Sequence, residues 1–152
     1  MRQVDRREFV RGGAAIATAA VLVVGDGLAQ DAGSGWEEAV KKIVGDAKPI
    51  EGRVSLDMPE IAENGNTVPF AVSVESPMTD KDYVKAIHVI STANPQAGVA
   101  TFHLTPLSGK AAVASRMRLA RTQDVIVLAE LSDGKFLQTK RSVKVTIGGC
   151  GG

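Results

Sequence analysis

The side chain best suited to covalent chemistry in this 152-residue chain is its only cysteine, Cys150, the third residue from the carboxyl end. Glycines occupy the two positions on each side of it, in the order Gly148-Gly149-Cys150-Gly151-Gly152. Glycine loses more conformational entropy on being ordered than any other residue, so we expect residues 148–152 to form a flexible arm. A single nucleophile on such an arm is suited to holding a covalent cargo.

Nothing adjacent to Cys150 in sequence would activate its thiol. A free cysteine has a pKa of about 8.5, so only a few per cent of it is thiolate at neutral pH. The nearest cation is Lys144, and the terminal carboxylate disfavours the thiolate. Five extended residues reach at most roughly 17 Å. We therefore expect the arm to enter a narrow channel in another protein, whose groups would activate the sulfur.

The amino-terminal 29 residues have the three-part layout of an export signal. A basic start precedes an apolar run over 12–24, and the small residues around Ala29 suit a cleavage site. Arg6-Arg7-Glu8-Phe9-Val10 resembles the twin-arginine export motif. That motif implies export of an already folded protein, so we expect a periplasmic location and a mature chain that begins at Gln30.

The mature chain would carry no net charge. Residues 1–29 hold four of the 18 basic and three of the 17 acidic residues, which leaves 14 of each in residues 30–152. This balance predicts no attraction to nucleic acid or to an anionic membrane. One cysteine cannot form an internal disulfide, so in an oxidising compartment Cys150 stays free, pairs with another molecule or is loaded.

Hydrophobic periodicity divides the mature chain into one helix and a series of strands. Residues 36–45 form an amphipathic pattern with Trp36, Val40, Ile43 and Val44 on one face, which predicts a short helix packed on the core. After Pro49 the period changes to two, and β-branched residues dominate. Seven strands are predicted, around residues 54–56, 70–74, 87–89, 100–104, 113–119, 125–131 and 143–147.

Short strands separated by turn signals, without helical patterns between them, predict an immunoglobulin-like antiparallel β-sandwich. One of these turn signals is Glu63-Asn64-Gly65-Asn66. The predicted organisation is a signal over 1–29, a helix plus β-sandwich domain over 30–147 and the arm over 148–152.

No recognisable catalytic constellation accompanies these elements. The chain has no phosphate-binding glycine loop, no dinucleotide fingerprint and no nucleophile elbow. We therefore expect a protein without an active site, metal or cofactor of its own. A copper site would need His88, His103 and Cys150 to converge, but only glycines follow the cysteine, where a ligating His or Met normally follows.

Two other classes of protein stay open on the residues alone. An exported, non-catalytic binding domain would function without residues 148–152. A carrier of the ubiquitin-like type loads a terminal Gly-Gly carboxylate, but it needs cytosolic ATP and no cysteine, and an export signal argues against it.

The ending Val145-Thr146-Ile147-Gly148-Gly149-Cys150-Gly151-Gly152 resembles the carboxyl-terminal signature of the SoxY family. Members of that family are sulfur-carrier subunits of the bacterial thiosulfate-oxidising Sox system. The resemblance implies that Cys150 is the covalent attachment point and that Gly148, Gly149, Gly151 and Gly152 form the arm. Only the tail is diagnostic, although the chain length, the leader and the strand-rich body agree with the family.

The resemblance also implies partners. SoxY pairs with SoxZ, a small β-sandwich protein, as a heterodimer. The cytochrome SoxAX would couple thiosulfate to Cys150, the hydrolase SoxB would release sulfate, and the dehydrogenase SoxCD, where present, would oxidise the remaining sulfur. The apolar surplus of residues 87–90 and 125–131 leads us to expect these segments at the SoxZ interface.

Overall fold

The computed structural model describes residues 35–149, which contain one α-helix and nine β-strands. The predicted β-sandwich with one short helix is confirmed. Residues 1–34 and 150–152, which include the predicted signal and Cys150, lie outside the described residues. In chain order the elements are α1 (Trp36–Val44), β1 (Ile50–Glu51), β2 (Val54–Asp57), β3 (Ile61–Asn64), β4 (Val68–Val74), β5 (Val84–Ser91), β6 (Gly98–His103), β7 (Ala111–Met117), β8 (Gln123–Leu131) and β9 (Phe136–Ile147).

The strands form two sheets. The larger has the order β1-β9-β8-β5-β6, with β3 also pairing with β9, and the smaller has the order β2-β4-β7. The pairing is antiparallel except where β1 and β3 run parallel to β9. Because β9 is twelve residues long, its outer edge accommodates both short strands, β1 beside Leu137 and β3 beside residues 144–147.

The sequence pattern missed β1 and β3 and began the last strand too late. β1 has two residues and β3 has four, so neither is long enough to show a clear alternation. The first half of β9 contains a polar run, Gln138 to Arg141, whose residues are mostly half-buried. β1 and β3 become strands because β9 offers a long edge for hydrogen bonding, and the polar run of β9 does so because it pairs with β8.

The main core lies between the two sheets. The inward face of β4 contributes Val68, Phe70, Val72 and Val74, which alternate with more exposed residues. Val127 on β8 and Val89 on β5 face them from the larger sheet, and each is at most 1% exposed. Period-two alternation therefore decides which side chains reach the core, as expected for a sandwich.

A second, smaller core lies on the other face of the larger sheet, where α1 packs. Ile90, Ile126 and Leu128 point outward from β5 and β8 and are covered by the apolar face of the helix. That face comprises Trp36, Ala39, Val40, Ile43 and Val44, which confirms the predicted role of the helix stripe. Gly35 and Gly45 bound the helix with positive φ angles of 60° and 59°.

The expectation that residues 87–90 and 125–131 form a partner interface is wrong for most of their side chains. Residues 125–129 are at most 7% exposed, and Ile87, Val89 and Ile90 are at most 1% exposed. Both faces of β5 and β8 are covered within this chain, one by the smaller sheet and the other by α1. The apolar surplus in the sequence reflects this two-sided burial.

Candidate functional site

The residues predicted to carry function divide between described and undescribed parts of the chain. Gly148 and Gly149 are described, whereas Cys150, Gly151, Gly152 and the paired arginines Arg6 and Arg7 lie outside the described residues. The roles of the attachment point, the flexible arm and the signal motif therefore stay predictions. The structure does define the base from which the last three residues extend.

Strand β9 ends at Ile147, beside the last residue of β3, and the tail begins there. Its final residues pair in parallel with β3, where Ala62 lies beside Val145 and Asn64 beside Ile147. The chain of β3 then turns at Gly65 and Asn66, at the turn predicted from sequence. The Asn64 side chain stabilises this turn by accepting a hydrogen bond from the Asn66 amide at 2.9 Å.

Three backbone segments meet where the tail leaves β9. The Gly65 amide donates to the Ile147 carbonyl at 2.8 Å, and the Leu119 amide donates to the Gly65 carbonyl at 2.8 Å. The Gly149 amide donates in turn to the Leu119 carbonyl at 2.9 Å. We call this arrangement of residues 64–66, 118–120 and 147–149 the tail clamp.

The glycines of the tail clamp are packed too closely for a side chain. A Cβ on Gly65 would overlap the Leu119 carbonyl oxygen and lie 2.6 Å from the Gly149 nitrogen. A Cβ on Gly149 would lie 2.7 Å from the Gly65 carbonyl oxygen, and one on Gly148 would overlap the Ala120 carbonyl oxygen. Gly65 and Gly149 are both buried. In this structure the first two arm glycines are therefore held by close backbone packing.

The loop of the tail clamp is itself anchored by a pair of side-chain amides. The Asn94 Oδ1 accepts from the Ala120 amide at 2.9 Å and from Gln123 Nε2 at 2.8 Å, while Asn94 Nδ2 donates to the Arg118 carbonyl at 2.8 Å. Gln123 is 5% exposed, and its Oε1 accepts from the Ala93 amide. Leu119 is fully buried. These contacts tie the loop to the body of the sandwich.

A cavity of about 190 Å³ adjoins the same loop. Asn94, Arg118 and Ala120 line it together with residues at the start of β6. Because Ala120 also contacts Gly148, the cavity lies beside the tail clamp, and Arg118 brings a positive charge to this end of the molecule.

The two histidines lie on β5 and β6 and are not among the residues of the tail clamp. His88 Nδ1 is 3.1 Å from the Thr101 hydroxyl, and its buried Nε2 has no hydrogen-bond partner among the described residues. Burial lowers the pKa of His88, with Glu130 opposing the shift and His103 adding to it. His103 is exposed, as predicted.

Within residues 35–149 no group of three or more His, Asp and Glu side chains is placed to hold a metal ion. The helix in this part of the chain is not long or apolar enough to cross a membrane.

Sequence reasoning missed Gly65, Asn94 and Leu119 as parts of the base of the tail. The Asn64-Gly65-Asn66 pattern predicted a turn, which is correct, but a turn signal does not indicate what the turn touches. Asn94 precedes Pro95 and indicated only a second turn. The residues of the tail clamp lie as far apart as positions 65 and 149, so no local pattern relates them.

Comparison with known proteins identifies the family. The family model described as sulfur oxidation protein SoxY matches residues 40–150, which is most of the chain and includes the position of Cys150. This chain belongs to the SoxY family.

A solved structure agrees with that assignment. The sulfur carrier protein SoxY from Chlorobium limicola f thiosulfatophilum is 33% identical, with a TM-score of 0.63, and the match covers 75% of this chain and 98% of that one. A search of curated proteins returned no match.

More distant structures share the fold alone. A superoxide reductase (neelaredoxin) from Ignicoccus hospitalis has a TM-score of 0.56 at 13% identity, covering 62% of this chain and 80% of its own. A hypothetical protein from Pyrococcus horikoshii OT3 has a TM-score of 0.51 at 13% identity, covering 69% of this chain and 99% of its own.

Proposed function

We propose that this protein is a periplasmic sulfur carrier that holds intermediates of thiosulfate oxidation covalently on Cys150. The observation that carries the proposal is the SoxY family match, which extends through residue 150 and so includes the only cysteine of the chain. The similarity to a protein described as a sulfur carrier supports the same role. The paired arginines Arg6 and Arg7 support export to the periplasm.

The proposed chemistry begins with oxidation. The Cys150 thiolate and the outer sulfur of thiosulfate form an S–S bond, and two electrons leave to a c-type cytochrome of the SoxAX kind. The product is a Cys150 S-thiosulfonate. Water then attacks the sulfonate sulfur, which releases sulfate and two protons and leaves a persulfide anion on the cysteine. A dehydrogenase of the SoxCD kind, where present, removes electrons from that outer sulfur, which takes up oxygen from water and becomes an S-sulfonate on Cys150. Hydrolysis of the S-sulfonate then releases a second sulfate and regenerates the thiol.

In this scheme the chain presents the sulfur and its partners supply catalysis. An unperturbed thiol is a few per cent thiolate at neutral pH, so an enzyme that receives the tail must stabilise the thiolate. We propose SoxZ as the stable partner and the SoxAX, SoxB and SoxCD proteins as transient ones. A carrier can serve several enzymes when no group of its own activates the thiol for one of their reactions in particular.

The test is the intact mass of the protein isolated from thiosulfate-grown cells, before and after reductant. We expect adducts of the thiosulfonate and persulfide type that reductant removes, confined to Cys150. Cys150→Ser should carry none and should abolish thiosulfate oxidation.

A matched control moves the thiol. In the Cys150→Ser chain, a cysteine introduced at the exposed Ser115 on β7 should not restore turnover, because it lies on a strand rather than on the tail. Thiosulfate oxidation by the Cys150→Ser protein, or an unmodified Cys150 during turnover, would refute the carrier proposal.

A further inference from the structure

The tail clamp places a boundary within the glycine-rich arm. The Gly149 amide is hydrogen-bonded to Leu119, and Cys150 is the next residue. Consecutive Cα atoms are about 3.8 Å apart, so the Cα atom of Cys150 is separated by only that distance from Gly149, whose amide is hydrogen-bonded. A freely hinged arm would instead start at the end of β9, three residues before the thiol.

We propose that the tail clamp holds the tail as far as Gly149, the residue before Cys150, and that Gly65 is the positioning residue. This inference rests on the proposed function of Cys150 as the attachment point. Gly65 contacts both other segments, because its amide donates to Ile147 and its carbonyl accepts from Leu119. Its described contacts are with the backbone of residues 147–149 and of Leu119, so it acts through the backbone of the tail.

Space, rather than backbone conformation, requires glycine at position 65. Its φ lies outside the left-handed region, in contrast to Gly35 and Gly45. A methyl group there would collide with two backbone atoms, the Leu119 oxygen and the Gly149 nitrogen. Those atoms form a hydrogen bond to each other, so Gly65→Ala should break the link that holds the tail.

Holding the tail has a kinetic consequence. A thiol tethered one residue from a fixed point, about 3.5 Å, explores a much smaller volume than one tethered three residues away, about 10 Å. A smaller volume raises the effective concentration of the thiol at a partner site that recognises this end of the sandwich. Loss of the tail clamp should therefore slow partner-dependent loading by about tenfold or more, because the volume that the thiol explores grows by at least that factor.

The first experiment measures the tail without using sulfur chemistry. Amide hydrogen exchange of Gly149 reports its bond to Leu119, and a nitroxide attached to Cys150, the only cysteine, reports the motion of the tail. In the unaltered protein we expect the Gly149 amide to exchange about tenfold more slowly than in Gly65→Ala, the change expected for one hydrogen bond. The nitroxide spectrum should sharpen in the variant.

Gly98→Ala is the matched control. A methyl group at Gly98 would have no other atom within 4 Å, and its φ is not positive, so the substitution should leave both signals unchanged. If Gly65→Ala fails to fold, Gly148→Ala tests the clamp from the tail side, because its methyl group would collide with the Ala120 carbonyl outside the two sheets.

The second experiment separates positioning from structure. Gly65→Ala should react with a small thiol reagent at an unchanged rate, while its loading by the cytochrome partner should show a raised KM or lowered kcat/KM. Equal Gly149 exchange and equal nitroxide motion in the unaltered and Gly65→Ala proteins would overturn the tail clamp proposal. Because neither measurement depends on sulfur transfer, the clamp can fail while Cys150 still carries sulfur, and the reverse also holds.

Discussion

At the scale of single residues, glycine meets two different demands in this chain. Gly35 precedes the helix and Gly45 follows it, and both have positive φ angles, a backbone conformation that other residues rarely adopt. Gly65, Gly148 and Gly149 have no such angle, and they are glycine because neighbouring carbonyl groups occupy the space of a Cβ. The glycines before Cys150 thus provide close packing at the base of the tail.

The half-buried imidazole of His88 predicts a pH dependence of stability. Burial lowers the pKa of His88 in the folded protein below its unfolded value of 6.5, so the unfolded chain binds more protons in the window just below 6.5. Stability should fall as the pH decreases through that window. We expect His88→Asn to flatten this part of the profile, measured by urea unfolding between about pH 5 and pH 7.

One proton or less is involved, so the slope due to His88 stays below about 1.4 kcal/mol per pH unit. Ser115→Asn, at an exposed position on β7 in the other sheet, serves as the control and should leave the slope unchanged. A slope that is the same in the His88→Asn and unaltered proteins would contradict the prediction.

At the scale of elements, α1 and the larger sheet depend on each other. A helix of nine residues is too short to be stable alone in water, so its apolar face must pack to keep it folded. The sheet in turn needs a cover over Ile90, Ile126 and Leu128. This mutual burial explains why β8 reads as almost continuously apolar although it belongs to a sandwich.

Truncation of the helix face should destabilise the domain without affecting the tail. We expect Ile43→Ala to lower the free energy of unfolding by about 1 to 3 kcal/mol, since the side chain is partly buried against the second core. Lys42→Ala, on the exposed face of the same helix, should change it little. Urea denaturation measures both, and equal midpoints would show that α1 does not contribute to the core.

At the scale of the whole molecule, the base of the tail is held by loops that connect strands of both sheets. The last strand, β9, belongs to the larger sheet and ends at the tail clamp, which joins segments around positions 65, 119 and 149. Such long-range contacts form only when the sandwich has folded. A protein whose tail depends on the finished fold is well served by export in the folded state, which the predicted twin-arginine signal would provide.

Export is tested by a charge-conserving change. Arg6→Lys with Arg7→Lys should prevent accumulation in the periplasm, because the paired arginines are the recognised feature and the net charge is kept. Arg2→Lys with Arg11→Lys changes the same number of arginines outside the pair and should leave export intact. Cell fractionation with an antibody to the protein gives the result. Normal periplasmic accumulation of the first variant would refute the twin-arginine prediction.

The sequence by itself determined the helix face, most of the sandwich strands and the chemistry of the tail. Each depends on local information: a 3.6-residue stripe from Trp36 to Val44, period-two alternation in strands such as β4, and a lone thiol among glycines. Family membership could also be inferred from the final eight residues, because that motif is contiguous.

Only the tertiary structure decided what covers β5 and β8, how β1 and β3 pair, and where the tail is held. The apolar run of β8 could be covered by a partner protein or by a helix of the same chain. In the structure α1 covers its outer face. The tail clamp depends on backbone hydrogen bonds between segments that are distant in the chain, such as Gly65 and Leu119. Backbone groups are the same in every residue, so their long-range pairing leaves no local mark in the sequence.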